Sequence, residues 1–176
     1  MRRCLLSIVV FSILASPALA ETGHHAGLRQ YVRKVTPVIQ AYRSVAKRAG
    51  NLLSEQPTED VGPLVDGLAR ISSDFERLNA RWNTIKAPPG LGLKHRGMGG
   101  AFPLQSRYFA AVAEAWQQFQ QSGDVVLLHD AIDKAGGLLH SAAHLQKRWA
   151  AALSGALIRA YVPVPRWLEQ MATIVP

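Results

Sequence analysis

Six histidines and one cysteine stand in this 176-residue chain, and the histidine spacing is where chemistry could begin. His129 with Asp133, and His140 with His144, are i,i+4 pairs. On a helix each pair turns two ligand atoms to one face, enough for half of a Zn or Cu site. Asp133 and His140 lie about 10 Å apart along a helix axis, so the four residues cannot close one tetrahedral site unaided. His24-His25 is a weaker candidate, an adjacent pair suited to Cu or Ni. His95 stands in His95-Arg96-Gly97-Met98, the one place where His and Met come close.

Other chemistries lack their parts. The sequence has no His-Glu-x-x-His, no Gly-x-Ser-x-Gly and no Gly-Lys-Ser/Thr, so zinc-protease, serine-hydrolase and phosphate-loop chemistry have no foothold. Covalent haem attachment needs Cys-x-x-Cys-His, and the only cysteine is Cys4. Asp66, Arg70 and Asp74 are spaced as an i,i+4 ladder of surface ion pairs, and Glu76 and Glu114 sit where solvent-face acids normally sit. No catalytic residue and no cofactor-binding residue is assigned, and the chain reads as a non-enzyme.

Charge gives a second candidate site. Lys and Arg outnumber Asp and Glu by 20 to 12, for a formal net charge of +8. Between Ala26 and Leu53 stand Arg29, Arg33, Lys34, Arg43, Lys47 and Arg48 with no acid among them. Such a face suits lipid headgroups, lipopolysaccharide phosphate or an acidic protein. No recognition-helix or RNA-binding motif points to nucleic acid.

The elements that must position these residues are helical. Residues 1–20 read as a signal peptide: Arg2-Arg3, an apolar run from Cys4 to Leu14, then Ser16-Pro17-Ala18-Leu19-Ala20 with cleavage expected after Ala20. Export to the periplasm or cell exterior follows, and Cys4 leaves with the segment. Leu28, Tyr31, Val35, Val38, Tyr42, Val45, Ala49 and Leu52 alternate steps of three and four, which predicts a first helix over 28–53 with a kink at Pro37. Val61, Leu64, Leu68, Ile71, Phe75, Leu78, Trp82 and Ile85 repeat the rule for a second, after a turn capped by Thr58. Five glycines between Pro88 and Pro103 predict a loop there, because each Gly costs a helix about 1 kcal/mol relative to Ala. Phe109, Val112, Trp116 and Phe119 mark a third helix. Ser122-Gly123-Asp124 reads as a Gly stop and an Asp N-cap, opening a fourth helix with core positions Leu128, Ile132, Ala135, Leu139, Ala142, Trp149 and Leu153. Residues 161–176 form an amphipathic tail.

No segment carries a strand pattern. Four amphipathic helices with short connections predict an all-α, antiparallel up-down four-helix bundle over 21–160. The layout resembles exported bacterial helical proteins in which the second helix ends in an Ile-x-x-Pro-Pro hinge followed by a His, here Ile85, Pro88, Pro89 and His95, after a Tyr-rich opening helix from Tyr31 to Tyr42. The departure is at the glycine cluster, where those proteins tend to continue in helix. The resemblance implies fold and export but carries no activity. Two functional readings stand: a bundle that binds a protein or an anionic envelope surface, and a metal-binding bundle using the histidines of its fourth helix.

Overall fold

The computed structural model describes residues 17–54 and 60–173, with side chains described over 25–54 and 60–171. It is all-helical: α1 (Pro17–Ser54), α2 (Gly62–Asn83), α3 (Gly92–Ser122), α4 (Val125–Arg159) and α5 (Arg166–Thr173), with no strand among the described residues. None of these helices is long and apolar enough to cross a membrane. The apolar run of the expected signal segment, the Thr58 cap and Ile174 lie outside the described residues. α1 starts upstream of the expected junction after Ala20 and continues through Pro37.

The apolar stripes become the packing surfaces. Leu68, Ile71, Phe75, Leu78 and Trp82 on α2 are each no more than 4% exposed. Phe75 stacks on Phe109 of α3 at 5.6 Å and meets Tyr42 of α1, while Trp82 meets Trp149 of α4 edge-on at 5.2 Å. Each helix packs mainly on its chain neighbour: α1 on α2, α2 on α3, α3 on α4, and α5 on α4. Between α1 and α4 the backbones scarcely approach, and long side chains bridge the gap.

The expected glycine loop is helix. α3 begins at Gly92, so the connection from α2 shrinks to 84–91, and Ile85 falls just past the end of α2 at Asn83. Tertiary packing overrides the local helix penalty here. A Cβ on Gly99 would lie 3.1 Å from Cδ1 of Trp82, and Cβ atoms on Gly97 and Gly100 would touch Leu145 of α4. The small residues let α3 lie close against α2 on one side and α4 on the other, and burial of Met98, Ala101 and Phe102 at 0% exposure outweighs the propensity loss. Pro103 is accommodated inside the same helix.

Helix ends follow local chemistry. Gly123 takes the left-handed conformation (φ 68°) as the cap of α3, and the Asp124 side chain accepts from the backbone N–H groups of Val126 and Leu127 to start α4. α4 ends in a Schellman turn: Val162 N–H donates to the Leu157 carbonyl and Tyr161 N–H to that of Ile158. The left-handed position of that turn is held by Tyr161 (φ 50°), where glycine is usual. The tail beyond it joins the core. Leu168 and Met171 are buried, and Trp167 stacks on Trp149.

Candidate functional site

The basic residues of α1 are all exposed. By helical periodicity Arg29, Arg33, Arg43 and Lys47 fall close to one line along the outer face, spanning about 27 Å, with Lys34 and Arg48 on one flank. Arg48 is not free: it meets Asp74 of α2 at 2.6 Å, and Arg77 shares the same carboxylate. This corrects the expected Asp66–Arg70–Asp74 ladder, because Asp74 turns across the helix seam to Arg48 and along its own helix to Arg77. Arg29, Arg33, Lys34, Arg43 and Lys47 have no acidic partner among the described residues.

His129, Asp133, His140 and His144 are all exposed on α4, and no group of three or more His, Cys, Asp or Glu residues is placed to share an ion among the described residues. Each pair therefore offers two ligands and no third. The side chain of His24 lies outside the described residues.

His95 occupies a different environment. It is 7% exposed, stacked on the Trp82 indole at 4.7 Å, with Nδ1 2.9 Å from the Tyr31 hydroxyl. Trp149 Nε1 donates to that hydroxyl at 3.0 Å, and Trp82 Nε1 donates to the His95 carbonyl at 3.0 Å. An indole can only donate, so the phenol accepts from Trp149, and which partner donates between Tyr31 and His95 Nδ1 is set by the imidazole tautomer. Burial holds the imidazole below its ordinary value, opposed by a hydrogen bond with the Ile85 backbone and reinforced by the charge of Arg96. Burial also pushes the Tyr31 phenol up, partly offset by the Trp149 bond. Met98, the neighbour of His95 in sequence, is fully enclosed in the same layer. The arrangement is a satisfied polar layer that ties α1, α3 and α4 together.

A second polar layer reaches a cavity. Tyr42 donates to Gln146 Oε1, Gln146 Nε2 to Gln105 Oε1, and Gln105 Nε2 to the Tyr42 hydroxyl, each at 3.3 Å, closing a three-membered ring across α1, α3 and α4. The ring borders a cavity of about 370 Å³ that is also lined by Leu139, His140, Ala143, Lys147 and Met171. Sequence reading missed these glutamines although a signal existed. Gln105 stands in phase between Phe102 and Phe109, and Gln146 between Ala142 and Trp149, each at a position the apolar stripe would fill.

No family model matches this chain, and no curated protein or solved structure shows a similarity to it.

Proposed function

We propose that this chain is an exported, non-enzymatic helical protein that docks on an anionic envelope surface through the outer face of α1. Its export rests on the signal-like segment ending at Ala20, and its resemblance to exported bacterial helical proteins on Ile85, Pro88, Pro89 and His95. The up-down arrangement of α1 to α4 is supported by packing between chain neighbours and by the short 84–91 and 123–124 connections. One observation carries the docking reading: five cations of α1 stand exposed without an acidic partner among the described residues.

Each Lys or Arg near an anionic bilayer contributes about 1 kcal/mol, and the attraction falls off within a Debye length of about 8 Å at physiological salt. Reversal of Arg33, Arg43 and Lys47 to Glu therefore removes at least about 3 kcal/mol, roughly two orders of magnitude in partitioning. Arg48 is left in place, since Asp74 already engages it. The test is co-sedimentation with phosphatidylglycerol vesicles at low and high salt. Binding that is lost in the triple variant and weakened by salt supports the reading. Absence of wild-type binding at low salt refutes it.

A further inference from the structure

The cavity bordered by the Tyr42–Gln105–Gln146 ring lies where α1 and α4 fail to close on each other. Its lining is divided by chemistry. Tyr42, Gln105 and Gln146 supply hydrogen-bonding groups, Leu139, Ala143 and Met171 supply apolar wall, and His140 and Lys147 stand exposed beside it. Among the described residues that line it, none is acidic.

The ring joins three helices. Its three bonds measure 3.3 Å each, longer than the usual 2.7 to 3.2 Å for N–H···O and 2.5 to 3.0 Å for O–H···O. All three groups border the cavity, and each glutamine amide keeps a second N–H that the ring does not use. Gln105 is only 7% exposed, so its amide would be desolvated without the ring, and the polar atoms are retained at a position where an apolar side chain would pack. The volume lies in the range of small-molecule sites. The Lys147 ammonium at the rim, with no carboxylate among the described lining residues, favours an anion, and the Leu, Ala and Met walls favour an apolar body.

We propose that this cavity binds a small organic monoanion, a carboxylate carried on a short alkyl or aryl body. The carboxylate sits against Lys147 and the amides of Gln105 and Gln146, and the body lies on Leu139, Ala143 and Met171. This site is separate from the outer face of α1, since Tyr42 belongs to the inner stripe of that helix.

The test is nuclear magnetic resonance titration of the full chain with octanoate, octanol and octylamine, following the side-chain amides of Gln105 and Gln146. Octanoate should give saturable shifts of both amides, with octanol and octylamine each weaker by about tenfold or more. Lys147→Glu should weaken octanoate by at least about tenfold while leaving the helical circular dichroism intact, and Lys147→Gln should fall between. The Arg33, Arg43 and Lys47 triple reversal should leave octanoate binding in place, so failure here and failure of vesicle docking are distinguishable. The proposal is overturned by octanoate shifts that never saturate, by equal binding of octylamine, or by Lys147 variants that bind octanoate as the parent does.

Discussion

Adjacent glycines in α3 should respond in opposite directions to the same added methyl group. A Cβ at residue 99 would stand 3.1 Å from Cδ1 of Trp82, inside the roughly 3.5 to 4.0 Å of a favourable carbon contact. The indole has nowhere to retreat: Trp82 is 0% exposed, stacked on His95, set against Phe102 and Trp149, and bonded to the His95 carbonyl. Overpacking of this kind costs about 1 to 3 kcal/mol, against up to about 1 kcal/mol returned by helix propensity. Gly99→Ala is therefore expected to be destabilising by up to about 2 kcal/mol. At Gly100 the new Cβ would lie 3.7 Å from Cδ1 of Leu145, an ordinary contact, so Gly100→Ala should stabilise by about 0.5 to 1 kcal/mol. Urea denaturation of the two variants and the parent measures the difference. Near-zero effects at both positions would mean that this stretch is not helical in solution. Gly99→Ala at least as stable as Gly100→Ala would refute the close approach of α3 to Trp82.

Two further perturbations test other parts of the fold. His95 is held below its ordinary value near 6.5 by burial, so the unfolded chain binds more protons than the folded one as pH falls below that value. Its stabilising contribution is complete above about 6.5 and is lost as pH falls toward the folded value, so the urea midpoint should fall from pH 7 to 5.5 more steeply in the parent than in His95→Gln; equal slopes would sink this assignment. Tyr161 holds a left-handed conformation and is 91% exposed, a position where an L residue costs about 1 to 2 kcal/mol. Tyr161→Gly should raise Tm by about 2 to 4 °C and Tyr161→Ala should not, as read by thermal circular dichroism.

The stripes of α1, α2 and α4 were legible because steps of three and four leave little choice of buried face, and the Gly123–Asp124 boundary because each residue type has one common role there. α3 was not legible over its first turns. Helix propensity sees Gly97, Gly99 and Gly100 only as penalties, whereas their value lies in how near Trp82 and Leu145 can come, a property of other helices. Treating that stretch as a loop also broke the run Leu91, His95, Met98, Phe102, Gln105, Phe109, in which two polar residues stand in an apolar phase. The histidines of α4 and the cations of α1 fall outside those stripes, and they stand exposed. The partner of Asp74 was not, because an i,i+4 rule cannot see an arginine on a neighbouring helix.

The polar layer around Tyr31 also bears on the order in which the molecule assembles. Most packing joins helices adjacent in the chain, so the early steps close short loops, and helical proteins of that kind fold in microseconds to milliseconds. The Tyr31 hydroxyl is different, meeting His95 across 64 positions of sequence and Trp149 across 118. Those bonds can form only after the helical hairpins exist and have come together. A chain that collapses with α1 displaced along its neighbours would bury the phenol and imidazole without partners, each at about 1 to 3 kcal/mol. Such a misaligned intermediate is therefore expected to reopen rather than persist, making the Tyr31 clasp the last step at which the register of the assembled helices is tested.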